Sequence, residues 1–197
     1  MLTKLPNALE APRQPLADAD EAALARAARA APEAFGPLYQ RYVARVYFYL
    51  RLRTSAEADA ADLTHQVFVC AMDAWPRYRG ADAAFAAWLF RITRNAAIDF
   101  HRRRRDTVAW DLVPDRLHPL SELGPDESLE RGEALARLRS VFATLDSDAR
   151  ELLVLRFTAG LKVAEIAVVI GKSEAAVQKQ LSRTIRRLKE HYDDDAR

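Results

Sequence analysis

Proline placement constrains this chain more than any other feature. Between residues 38 and 113 the only proline is Pro76, and none follows Pro125. Proline lacks an amide hydrogen and clashes with the carbonyl four residues back, so both stretches are free to be helical. Nearly a fifth of the residues are alanine, β-branched runs are short, and no polar/apolar alternation persists. An all-α fold is expected. Pro6, Pro12 and Pro15 mark residues 1–17 as an unstructured lead, while Pro114, Pro119, Gly124, Pro125 and Gly132 mark a linker over 106–132. Two small helical domains are therefore predicted, 18–105 and 133–191, with a short acidic tail at 192–197.

Periodicity places the helices. Phe35, Leu38, Tyr39, Tyr42, Val43, Val46, Tyr47 and Leu50 recur at three- and four-residue steps, the stripe of a buried helix. Thr54 followed by Glu57 has the spacing of a capping box, and Leu63, Val67, Phe68, Ala71, Met72 and Trp75 form the next stripe, ended by Pro76. Phe85, Trp88, Leu89, Ile92, Ala96 and Phe100 predict a third helix, with Arg91, Arg94, Asn95, Asp99 and the run Arg102 to Arg105 on its other side. Beyond the linker, Leu135, Leu138, Val141, Phe142 and Leu145 form a fourth stripe. Asp146 or Ser147 can cap a fifth helix through Leu152, Leu153, Leu155 and Phe157, which Gly160 ends.

The stretch LKVAEIAVVIGKSEAAVQKQLSRTIRRLKE then predicts a short helix (Val163, Ala164, Ile166, Ala167, Ile170) stopped at Gly171, and a basic helix capped by Ser173. This order is the signature of a helix-turn-helix. With Ala176, Val177, Leu181, Ile185 and Leu188 inward, the outward side carries Gln178, Lys179, Ser182, Arg183, Arg186 and Arg187, with Lys172 and Ser173 at its start. Gln pairs with adenine in a major groove, and Lys and Arg address guanine or phosphate.

Thirty basic against 28 acidic side chains give a net charge of +2, which hides a block structure. Eight arginines from Arg77 to Arg105 face only Asp82 and Asp99; eight acids from Asp106 to Glu133 face only Arg116 and Arg131; eight basic residues from Arg156 to Lys189 face only Glu165 and Glu174. Two basic modules flanking an acidic connector point to a polyanionic partner, although ordinary solvated helix faces give the same composition. In the first module Trp75, Tyr78, Phe85 and Trp88 lie among arginines, the combination that stacks unpaired bases while holding their backbone. Phe85 is expected in the core and Tyr78, in the loop segment PRYRGAD, outside it. The single cysteine, Cys70, excludes an intramolecular disulfide and a thiolate zinc cage, and the four histidines are too scattered for a metal motif. No apolar run reaches the roughly 18–20 residues of a membrane span, and no signal core, glycine-rich phosphate loop or acid/base pair is present. A cytosolic, non-catalytic protein without metal or cofactor is expected.

Taken together, ADLTHQVFVCAMDAW, RYRGADAAFAAWLFRITRNAAIDFHRRRR and LDSDARELLVLRFTAGLKVAEIAVVIGKSEAAVQKQLSRTIRRLKE resemble the two domains of an extracytoplasmic-function (ECF) sigma factor of bacterial RNA polymerase. The resemblance covers about residues 20–105 and 130–190. It implies that Asp59, Asp62, Leu63, Gln66 and Phe68 fall in the segment that contacts core polymerase. It implies that Arg77, Tyr78, Arg79, Gly80 and Asp82 form the loop capturing a flipped base of the −10 element, with Trp88, Arg91, Arg94, Asn95, Arg102 and Arg103 on the helix facing the opening duplex. Lys172, Ser173, Gln178, Lys179, Ser182, Arg183, Arg186 and Arg187 would serve the −35 element. The implied partners are core RNA polymerase, promoter DNA and an anti-sigma factor, with no membrane.

The chain departs from the family pattern at His65 and Gln66, where Gln followed by an acid is common, at Ala61, where a further acid is usual, and at Lys162 and Gln180. The 28 residues of 106–133 reach about 90 Å when extended, enough for promoter elements some 20 base pairs, or roughly 70 Å, apart. Two other readings remain open on the residues alone. One is a helix-turn-helix regulator that works without core polymerase, and the other is a helical adaptor binding RNA or a membrane surface through Arg102 to Arg105.

Overall fold

The structure, a computed structural model, describes residues 23–25, 35–78, 85–104, 142 and 144–194. Among these the protein is helical throughout, with no strand. The N-terminal domain contains α1 (Phe35–Arg51), α2 (Glu57–Ala74), a 3₁₀ turn (Trp75–Arg77) and α3 (Phe85–Arg104). The C-terminal domain contains α4 (Ser147–Leu153), which runs into a π-helical turn (Val154–Thr158), then α5 (Val163–Ile170) and α6 (Glu174–Asp194). Arg79, Gly80 and Asp82, the linker, the stripe Leu135 to Val141, the lead and the end of the acidic tail lie outside the described residues.

The expected α1 stripe forms the centre of the N-terminal core: Leu38, Tyr42, Val46 and Leu50 are fully buried, joined by Tyr49. They meet Val67 and Ala71 of α2 and Phe85, Leu89 and Phe90 of α3. Edge-on ring contacts such as Tyr42–Phe85 (5.2 Å) and Phe35–Trp75 (5.6 Å) fill this layer. In the C-terminal domain α4 and α5 both pack on α6, around Leu152, Leu155, Leu161, Ile166, Val177 and Leu181.

Local chemistry sets the boundaries. Asp146 caps α4, its carboxylate accepting from the Ala149 amide at 2.7 Å. The Ala159 amide donates to Val154 O and the Leu161 amide to Leu155 O, closing the π turn, and Gly160 reverses the chain at φ +65. The Lys162 amide donates to Glu165, half of a reciprocal cap, where the sequence offers no hydroxyl. Gly171 ends α5 at φ +69, and Ser173 accepts from the Ala176 amide at 3.3 Å to open α6. This is the expected helix-turn-helix.

Several expectations are corrected. Thr54 does not cap α2: Ala56 is the N-cap and makes no side-chain cap bond. The Thr54 hydroxyl instead donates back to Leu50 O and closes the end of α1, where it is buried. Met72 is 56% exposed, Ile185 43% and Phe157 68%, and Ala176 is also exposed. On α2 the inward line runs Ala60, Leu63, Val67, Ala71, so Met72 rotates past the seam. On α6 Thr184 takes the inward position after Val177 and Leu181, which turns Ile185 outward. Phe157 leaves the stripe because the extra residue of the π turn rotates the last side chains.

The two domains touch. Helix α5 lies along α3, and the π turn lies against α1. Among the described residues no helix is long and apolar enough to cross a membrane, and no group of three or more His, Cys, Asp or Glu side chains could hold a metal ion.

Candidate nucleic-acid interface

Two faces carry the basic residues, and they differ in construction. On α6, Val177 and Leu181 are buried and fix the helix rotation, so Gln178, Lys179, Ser182, Arg183, Arg186 and Arg187 are all exposed along the opposite side. Lys172 and Ser173 are committed to structure. Lys172 Nζ donates to Asp148 at 3.0 Å, tying the turn to α4, and Ser173 caps the helix. At the N-terminal end of α6 the helix dipole adds positive potential to these side chains.

On α3, Arg91, Asn95, Arg102 and Arg103 are exposed, and Arg102 pairs with Asp99 at 3.1 Å. Trp88 is half-buried. Arg94 is turned toward the C-terminal domain, its Nε 3.5 Å from Glu151. Arg77, on the 3₁₀ turn, is exposed.

Tyr78, expected outside the core, is 6% exposed. It stacks on Trp75 with ring centroids 5.1 Å apart and planes 14° apart, and leans on Trp88 at 4.8 Å. The 3₁₀ turn causes this: the Tyr78 amide donates to Trp75 O, which folds the ring back over the indole. Tyr78 is thus a wall of the aromatic cluster formed with Trp75, Phe85 and Trp88.

The α2 face is also corrected. Asp62 and Gln66 are exposed and Asp59 is half-buried, but Leu63 and Phe68 point inward, Phe68 packing edge-on against Tyr39 at 4.7 Å. The apolar groups that accompany Asp62 and Gln66 outward are Val69, 44% exposed, and Met72. Periodicity could not separate Met72 from the core because it stands four residues after buried Phe68.

A third cluster was missed entirely. Tyr49, Arg53 and Arg94 of the N-terminal domain converge on Glu151 of α4. Burial raises the Tyr49 hydroxyl far above its ordinary pKa; the Arg53 charge opposes the shift and the Glu151 carboxylate adds to it. Tyr49 and Arg53 lie about a hundred residues from Glu151 in sequence, and no local pattern signals such a meeting.

Comparison with known proteins agrees with this two-domain layout. Residues 38–107 match Sigma-70 region 2 and residues 135–188 match Sigma-70, region 4. The ECF RNA polymerase sigma factor BldN of Streptomyces coelicolor is 32% identical over 191 residues, 94% of this chain and 72% of that one. RNA polymerase sigma factor CnrH of Cupriavidus metallidurans is 32% identical over 187 residues, 91% of this chain and 97% of that one. The structure of CnrH in complex with the cytosolic domain of CnrY superposes with a TM-score of 0.62 at 29% identity, covering 89% of this chain and 98% of that one. A helical domain with an exposed arginine face, a helix-turn-helix with a one-sided basic helix and relatives 32% identical over more than nine-tenths of this chain converge: the chain belongs to the sigma-70 family, as an ECF RNA polymerase sigma factor.

Proposed function

We propose that the protein acts in the cytoplasm as a dissociable, non-catalytic subunit that brings RNA polymerase to its promoters, with the work divided among three faces. Asp62 and Gln66, with Val69 and Met72, meet core polymerase through α2. Arg77, Arg91, Arg94, Asn95, Arg102 and Arg103 hold the −10 region as it opens, with Trp88 at the edge of the aromatic cluster and with Arg79 and Asp82 contributing from the segment between Tyr78 and Phe85. Gln178, Lys179, Ser182 and Arg183 enter the major groove of the −35 element, with Arg186 and Arg187 nearer its backbone. The domains take the bounds 18–105 and 133–191, and the acidic segment 106–132 is the tether that lets them part. The complex of CnrH with the cytosolic domain of CnrY supports an anti-sigma protein as a further partner.

The observation that carries this reading is the α6 face. A capped helix follows a left-handed glycine turn, and the buried Val177 and Leu181 leave one polar, basic side outward. Its test is run-off transcription from a promoter library with core polymerase. Transcription that starts only when this protein is added, from templates sharing two spaced elements, is the expected result. DNA binding that proceeds identically without core polymerase would replace this reading with that of an autonomous regulator. Asp62→Arg should weaken capture of core polymerase while helicity is retained, and unchanged capture would move the contact off α2.

A further inference from the structure

The leading end of α6 stands clear of the core. Gly171 through Ala176 are all exposed, and apolar anchoring starts only at Val177. Val177, Leu181 and Thr184 then form one buried line along the helix. That line decides which side faces outward, but a helix held along a line can still roll about it by small angles. At a radius of roughly 5–6 Å, a roll of about 10° carries a side-chain tip about 1 Å. Such a shift takes a donor out of the roughly 2.7–3.2 Å range of a hydrogen bond to a base edge. Reading by Gln178 and Lys179 therefore needs a hold placed away from the line. Lys172 supplies one. Its amide donates to Ala167 O at 3.0 Å and fixes the turn. Its Nζ donates to Asp148 Oδ2 at 3.0 Å and reaches Gln180 Oε1 at 3.5 Å. Asp148 stands in the first turn of α4, beside the buried Ala149, and Gln180 is half-buried on the flank of the α6 seam. One ammonium thus joins the turn, α4 and α6.

We propose that Asp148 and Lys172 are positioning residues for promoter recognition: their bridge, with Gln180, holds α6 at the roll from which Gln178 and Lys179 address bases. Asp148 sets specificity in this way without touching DNA. The inference rests on the reading of α6 given above. Exposure sets its size. The Lys172 and Asp148 side chains are 40% and 67% exposed, and an exposed pair shifts an equilibrium by about two- to fivefold. That is too little to decide whether the domain folds. It is enough to change how well one upstream base pair is told from another, because the leading end of α6 has no buried side chain ahead of Val177 to take over the load.

The test uses the full chain with core polymerase. Run-off transcription is compared between a promoter with the preferred upstream element and the same promoter changed at one base pair, at a position that Gln178→Ala or Lys179→Ala identifies. Asp148→Asn and Lys172→Met should each lower the ratio of the two about two- to fivefold, with helicity kept. Lys172→Arg, which keeps the charge and the reach, should retain the parent ratio. The double variant should be no worse than either single one, because both act through one bridge. A lost phosphate contact weakens both promoters alike and cancels in the ratio. Unchanged ratios in Asp148→Asn and Lys172→Met, or losses that add in the double variant, overturn the proposal. So does an Asp148→Asn variant that strengthens every promoter equally and raises the salt slope by about one, for then Lys172 is a phosphate ligand that Asp148 restrains. If Asp148→Asn loses helicity, Lys172→Met and Lys172→Arg decide, since both leave the first turn of α4 intact. Failure of the α6 reading itself looks different: Gln178→Ala and Lys179→Ala would then leave the preferred sequence of the parent unchanged, and the proposal would fall with it.

Discussion

The basic faces of α6 and α3 are built on opposite plans. Helix α6 buries one seam, Val177, Leu181 and Thr184, and among the described side chains the exposed ones are polar or charged apart from Ala175, Ala176 and Ile185. Helix α3 is packed from more than one side, by α1 and α2 within its own domain and by α5 of the other. Its buried set accordingly widens to Phe85, Ala86, Ala87, Leu89, Phe90, Thr93 and Ala97. Reading a functional face as what remains after the apolar stripe is subtracted works on the first plan and fails on the second, where aromatic residues among arginines belong to the core.

The largest expected effect sharpens that contrast at Tyr78. As a wall of the aromatic cluster, Tyr78→Ala should cost about 3 kcal/mol of stability, the lower end for removing a buried ring. Tyr78→Phe, which keeps the ring, should cost under about 1 kcal/mol. Urea unfolding measures both. If Tyr78→Ala unfolds at the parent midpoint yet opens promoters poorly in permanganate footprinting, the ring serves a flipped base after all, and the two faces are more alike than their packing indicates.

On α6 the effect should be one of preference. Gln178→Ala and Lys179→Ala should each relax discrimination at one upstream base pair by about 1–3 kcal/mol, while Arg187→Ala should weaken all promoters alike and lower the salt slope by about one. Transcription from randomised upstream elements separates these outcomes. An unchanged preferred sequence in the Gln178 and Lys179 variants would make α6 a phosphate clamp.

This contrast also explains what the sequence made legible. The helix-turn-helix was readable almost to the residue because its signals are local: Gly160 and Gly171 at positive φ, Asp146 and Ser173 as caps, and a single inward seam. The α1 core was readable for the same reason. Thr54 misled because a hydroxyl three residues before a Glu fits a cap in sequence, whereas in space that hydroxyl donates back to the backbone oxygen of Leu50 and Ala56 is the N-cap. Phe68 and Met72 share one helical register yet have opposite fates: Phe68 is covered by Tyr39 across the interface, whereas Met72 is left 56% exposed. Arg53, Tyr49 and Glu151 were unreadable because their chemistry exists only where the domains meet.

The smallest effect compares the two helix caps of the C-terminal domain. Asp146 accepts at 2.7 Å and brings a negative charge to the N-terminus of α4, whereas the neutral Ser173 accepts at 3.3 Å at the exposed start of α6. A short, charge-assisted cap is the stronger. Asp146→Ala should therefore cost about 1 kcal/mol and Ser173→Ala about half that, differences that thermal unfolding resolves. The asymmetry has a second reading. Glu151 sits on α4, only seven residues long, so fraying its first turn loosens the carboxylate that Arg53 and Tyr49 require. Asp146→Ala should then lengthen the distance between spin labels on Cys70 and Lys189→Cys as well as lower stability, whereas Ser173→Ala should lower stability alone. Equal distance changes in the two variants would mean that the Glu151 contact responds to the stability of the whole C-terminal domain and not to the order of α4.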